Sequence, residues 1–178
     1  MKIERIEIDG FGAWSGLELD GLADRLTPIY GPNEAGKTTL LEFIRSTLYG
    51  FAPQRRARYL PPVHGGAGGG RITLLDGDER LIVERLDSAD RSTTGALTVF
   101  DDDGRRCDPT RLASALGRLD ETIFTNVFAI GLREIQDLGA LEGTEAARRL
   151  YDLSTGLEGV SLPQAIGELA ALRERLLG

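Results

Sequence analysis

The sequence predicts an α/β phosphate-loop domain with a mixed sheet, an antiparallel β-meander and a C-terminal helix spaced like the start of a coiled coil. Three stretches carry that expectation. Leu26 to Ile44, LTPIYGPNEAGKTTLLEFI, passes from a short apolar segment through a glycine-bounded loop into a run with Leu40, Leu41, Ile44 and Leu48 at helical spacing. Residues 70–104 alternate short apolar runs with Asp/Gly turns. From Ser161, a capping-box pattern with Gln164 precedes Ala165, Leu169, Leu172 and Leu176, which recur at coiled-coil spacing.

Taken in order, Lys2 to Ile8 alternates as a strand, Gly10-Phe11-Gly12 makes a turn, and Leu17 to Leu19 alternates again. Leu26 to Tyr30 reads as a third strand that delivers the chain to the loop, and the following helix ends near Gly50. Residues 51–70, FAPQRRARYLPPVHGGAGGG, read as a flexible loop whose arginines, Arg55, Arg56 and Arg58, either face solvent or meet a nucleotide or another anion such as DNA.

The meander then runs through Arg71–Leu75, Leu81–Leu86 and Leu97–Phe100. Asp108-Pro109 opens a helix through Leu112 and Leu116, and Asp120 caps another that carries Ile123, Phe124, Val127 and Phe128. The boundaries are a phosphate-loop lobe over 1–160 and a helix over 161–178, which fits either a coiled-coil start or an amphipathic helix packed on the lobe.

Gly31-Pro32-Asn33-Glu34-Ala35-Gly36-Lys37-Thr38 satisfies the P-loop pattern G-x-x-x-x-G-K-[ST] in strand-to-helix context. Gly31 and Gly36 admit torsions closed to other residues, so the backbone N–H groups of Asn33, Glu34, Ala35 and Gly36 can approach phosphate oxygens, while the helix start adds its unpaired N–H groups and positive dipole end. Lys37 supplies a compact charge for β/γ-phosphates, and the Thr38 hydroxyl a ligand for Mg²⁺, with Thr39 as a second hydroxyl. The expected ligands are ATP and Mg²⁺. Of the chain's 21 Lys and Arg residues only Lys2 and Lys37 are lysines, so the sequence writes Lys where a phosphate loop needs it and Arg almost everywhere else.

The 178 residues suffice for one sizeable core or for a domain with an appendage. No apolar run reaches membrane-span length, and Met1 leads straight into the first strand with no leader pattern, so the expected setting is cytoplasmic. One cysteine, Cys107, and one histidine, His64, leave no internal disulfide and no Cys/His zinc site. The net charge of −7 argues against a broad basic face for nucleic acid, though a local patch remains open.

Hydrolysis also requires an acidic residue after a buried strand to hold Mg²⁺, and a group that orients water. Two segments come close, Ile72–Asp76 and Leu97–Asp102, and both lead into hairpin-type Asp/Gly turns. Asn-Lys-x-Asp is absent, which counts against guanine.

MKIERIEIDGFGAWSGLEL, GPNEAGKTTLLEFIRSTLYGF, QRRARYLPP and FTNVFAIGLREIQDL together resemble the N-terminal half of an SMC-like, ABC-type ATPase head. The nearest type is the YhaN-type AAA domain, similar to the SbcC and RecF class of DNA repair proteins. The resemblance implies an N-terminal lobe completed by a C-terminal lobe, of the same or a second head, beyond a long coiled coil. It also implies an ATP-dependent dimer, DNA engaged by the whole assembly in the cytoplasm or at the nucleoid, and a nuclease partner. The family's catalytic glutamine loop falls near Leu132 to Gln136, with Leu132 at the usual Gln position and Gln136 displaced. Leu153–Leu157 only faintly echoes the ABC signature.

Two readings of another class stay open. A compact P-loop kinase would show an open parallel sheet with the loop at its first strand, and a binding module would use ATP only to drive association.

Overall fold

The computed structural model describes residues 1–22, 26–88, 94–117 and 119–129. They fall into two units, Met1–Glu121 and a second that begins at Thr122.

In the first unit the sequence's alternation becomes a six-stranded sheet: β1 (Lys2–Phe11), β2 (Trp14–Leu19), β3 (Gly69–Asp76), β4 (Glu79–Leu86), β5 (Ala96–Phe100) and β6 (Arg106–Cys107), in the order β2-β1-β3-β4-β5-β6. Every pairing is antiparallel. This corrects the expected mixed sheet, and the reason lies at Leu26–Tyr30. That segment has strand composition but forms no strand, so among the described residues no parallel neighbour joins the sheet. Among the described residues, the sheet thus differs from the open parallel sheet expected of a compact P-loop kinase.

Period-2 alternation divides the sheet into two faces. Cross-strand neighbours Ile6, Ile72, Val83 and Val99 line one face, and Leu74 and Leu81 extend it. Helix α1 (Lys37–Tyr49) contributes Leu40, Phe43 and Leu48 to the core. Its buried stripe runs through Phe43 and Thr47, while Leu41 and Ile44 are only half-buried. The opposite face carries the ion-pair ladder expected of a wetter surface, with Arg5 beside Glu7 and Glu18 and Arg71 beside Glu84.

The C-terminal end of α1 is closed by cations, which suits its partial negative charge. Arg85, 5% exposed on β4, donates through Nε to Thr47 O at 2.9 Å and through Nη1 to Thr94 O at 3.4 Å, and burial pushes its guanidinium down to about 10. Even so lowered, it stays charged at neutral pH.

The stretch read as a loop over 51–70 contains structure at both ends. Helix α2 (Pro53–Tyr59) begins with proline at its first turn, where the missing N–H costs nothing. The glycine run opens β3: at Gly70, φ is 154° and a Cβ would fall 2.2 Å from Glu7 O, so only glycine allows β1 and β3 to approach there. Helix α3 (Thr110–Ala115) starts one residue later than expected, with Pro109 at its N-cap position, and the Asp108 carboxylate accepts from Thr110 N at 2.8 Å.

A helical turn, α4 (Glu121–Ile123), begins on the last residue of the first unit and continues in the second as a π-helical turn over Phe124–Phe128. The expected C-terminal coiled-coil helix, Gln136, and the signature-like Leu153–Leu157 lie outside the described residues.

Candidate functional site: the phosphate loop

Residues Gly31 to Gly36 form a turn that empties directly into α1. Gly36 takes the left-handed region at φ 86°, which turns the backbone sharply before the first helical residue. A side chain there would be strained by that torsion and would also meet the Trp14 ring at 2.7 Å. Glu34 adopts φ 68°, an uncommon torsion for a residue with a side chain and one that the sequence pattern does not announce. Asn33 and Glu34 are exposed, Ala35 is half-buried, and Ala35 N donates to Pro32 O at 3.3 Å.

Lys37 is exposed, and its Nζ donates to Gly31 O and Pro32 O, each at 2.8 Å. The ammonium is thus held over the start of the loop by the loop's own carbonyls, with one proton left for an anion. Thr38 is also exposed, and Thr39 is half-buried behind it.

These features fit a polyphosphate. The α1 N-terminus offers N–H groups without intrahelical acceptors, its first turn holds no acidic residue, and Lys37 supplies charge beside them. Lys37 with the backbone of Asn33 to Gly36 would hold the phosphates of ATP, and the Thr38 hydroxyl would hold a Mg²⁺ carried by them. When bound, the ion neutralises charge on the phosphates and polarises them toward attack.

Neither acidic segment that came close in the sequence lies beside this loop. Strand register places the candidates Asp76, Asp101 and Asp102 at the end of the sheet marked by Lys2 opposite Leu75 and Ile82 opposite Phe100. The phosphate loop adjoins the other end, where Phe11 pairs with Trp14 and Gly10 with Gly69. With a rise of about 3.3 Å per residue along β3, the two ends lie on the order of 20 Å apart. Neither segment can reach a metal on Thr38, and no cluster of three or more His, Cys, Asp or Glu able to hold a metal occurs among the described residues.

Two of the three arginines in the basic stretch have internal work. Arg56, buried, pairs with Asp87, and Arg55 pairs with Glu121 while donating to Gly50 O at 3.2 Å. Arg58 remains exposed, 5.5 Å from the centre of the Tyr59 ring. His64 is an exposed loop residue.

A residue missed in the sequence borders the loop. Trp14, the first residue of β2, donates from Nε1 to Gly36 O at 3.1 Å. The available signal was the chain's single tryptophan, placed just after a glycine turn.

A family model described as "AAA domain" matches residues 1–172. The chain belongs to this AAA domain family. It is also 26% identical over 163 residues to the uncharacterized protein YhaN of Bacillus subtilis (strain 168), an alignment covering 90% of this chain and 16% of that protein. The chain therefore spans about a sixth of its relative's length. Both findings agree with the YhaN-type AAA domain expected from the motifs, and with an ATPase-type nucleotide-binding domain. No helix among the described residues is long and apolar enough to cross a membrane.

Proposed function

We propose that the chain is the ATP-binding N-terminal lobe of an SMC-like ATPase head, completed for hydrolysis by a C-terminal lobe and by ATP-dependent pairing of heads. The observation that carries this reading is the segment leading into the phosphate loop. Leu26, Ile29 and Tyr30 are 81%, 51% and 93% exposed, although their composition is that of a strand. Apolar residues left in water immediately before a phosphate loop call for a further strand or surface to cover them. Neither Ile72–Asp76 nor Leu97–Asp102 among the described residues brings its acid near Thr38, and in this reading the acid that hydrolysis needs belongs on that same covering lobe.

In this reading Thr38 and the nucleotide hold Mg²⁺ jointly, the completing lobe supplies the acidic ligand, and Gln136 of this chain, through the family resemblance alone, serves to orient water. DNA is engaged by the whole assembly in the cytoplasm or at the nucleoid, with the exposed Arg58 as a contributor from the basic stretch and a nuclease as companion. A chain of net charge −7 has too little positive charge to hold DNA through a broad face.

The test is hydrogen exchange on residues 26–30 with and without the remainder of the natural polypeptide, in Mg·ATP. Protection of this segment on completion supports the reading. Unchanged exchange, with no change in oligomeric state, overturns it.

A further inference from the structure

The turn between β1 and β2 is tied down from several directions. Gly12 N donates to Tyr59 O at 2.8 Å, and Val63 N donates to Gly12 O at 2.9 Å. Phe11, fully buried, stacks on Tyr59 at 4.8 Å between ring centres and meets Phe43 edge-on at 5.6 Å. A Cβ on Gly12 would lie 2.9 Å from the Thr39 methyl group, so the turn also abuts the first turn of α1. Trp14 extends from this fixed support.

We propose that Trp14 is a positioning residue for phosphate binding, its indole N–H fixing the peptide that joins Gly36 to Lys37. The Gly36 carbonyl oxygen accepts twice, from Leu40 N at 2.9 Å and from Trp14 Nε1 at 3.1 Å. Because a trans peptide is planar, holding that oxygen toward the helix interior points the Lys37 N–H the opposite way, out of the helix N-terminus. That N–H is one of the donors a phosphate would meet. The ring also occupies the space of a Gly36 side chain, so Trp14 holds the left-handed turn by contact as well as by hydrogen bond. Without the brace the peptide can tilt, and ordering it again falls on the binding step.

The inference rests on reading the loop as an ATP site, and one experiment separates the two. Trp14 is the only tryptophan, so growth on a benzothienyl analogue replaces its N–H with sulfur and changes nothing else in the chain. Binding of Mg·ATP and of Mg·pyrophosphate is measured by calorimetry on the natural chain, the analogue chain and Trp14→Phe, with thermal melting alongside. One net hydrogen bond corresponds to roughly fivefold in affinity. We expect both probes to weaken about fivefold in both altered chains, with the analogue chain melting like the natural one.

Equal affinities in the natural and altered chains overturn the role of Trp14 and leave the ATP reading standing. Loss for ATP alone, with pyrophosphate unaffected, also overturns it, because the ring would then be acting on the nucleoside. If the natural chain binds neither probe, the ATP reading fails and the inference falls with it.

Discussion

The Lys37 ammonium lies 2.8 Å from the carbonyl oxygen of Gly31, closing the phosphate loop on itself through the side chain that a nucleotide would contact. The charge is therefore positioned before any anion arrives, and little side-chain ordering is left to the binding step. Charge-assisted hydrogen bonds contribute about 1.5–3 kcal/mol each. Lys37→Ala should lower Mg·ATP affinity by roughly ten- to a hundredfold in calorimetry. Lys37→Arg should not restore it, since a planar fork cannot sit where a compact ammonium meets two carbonyls and a phosphate together.

The basic stretch gives a stability prediction. Arg56 is 7% exposed and its guanidinium donates from Nε and Nη2 to the Asp87 carboxylate, so Asp87→Ala removes charge-assisted hydrogen bonds at a buried cation. Losing an interaction of this kind costs about 1.5–3 kcal/mol. Urea unfolding should show a loss of about that size for Asp87→Ala, while Arg58→Ala at the exposed position should change stability by less than about 0.5 kcal/mol.

Tyr49 predicts the alkaline limb of the stability curve. Burial, with Asp120 and then Glu121 adding repulsion, pushes its phenol up to about 12 from an ordinary 10. The folded state therefore holds the proton more tightly than the unfolded chain does. Its contribution is complete below pH 10 and is lost as pH rises toward 12. Arg85, pushed down to about 10, acts in the opposite sense over part of that range. Tyr49→Phe should therefore flatten the decline between pH 10 and 12, read by denaturant unfolding, and should remove a step near pH 12 from the tyrosinate absorbance titration.

Much of the fold was legible in the residues because local signals agreed with tertiary need. Alternation in Lys2–Ile8, the Asp/Gly turns of the meander and the Asp108-Pro109 cap each encode their geometry within a few residues. Leu26–Tyr30 was misread for the same reason. Its composition is that of a strand, but a strand requires a neighbour, and none is present among the described residues. Residues 51–70 were misread the other way, since proline at the first turn of α2 and glycines at the close approach of β1 and β3 look like breakers in sequence and act as starts in the fold.

The site divides along similar lines. The loop from Gly31 to Thr38 could be named from its spacing, because phosphate chemistry dictates the residue types one by one. The support behind it could not: the Trp14 contact with Gly36 joins positions 22 residues apart and depends on how a hairpin packs. The acidic candidates show the converse. Asp76 and Asp101 have suitable local sequence, and only strand register reveals that they end at the far side of the sheet.

On the proposed reading this chain holds Mg·ATP and hydrolyses it only with a completing lobe. Phosphate release from Mg·ATP is measured for the 178-residue chain at saturating nucleotide, beside Lys37→Ala and beside the chain supplied with a C-terminal ATPase lobe. The expected result is binding without release above the Lys37→Ala background, and release that appears once the lobe is present. Sustained turnover by the chain alone, abolished by Lys37→Ala, would contradict it.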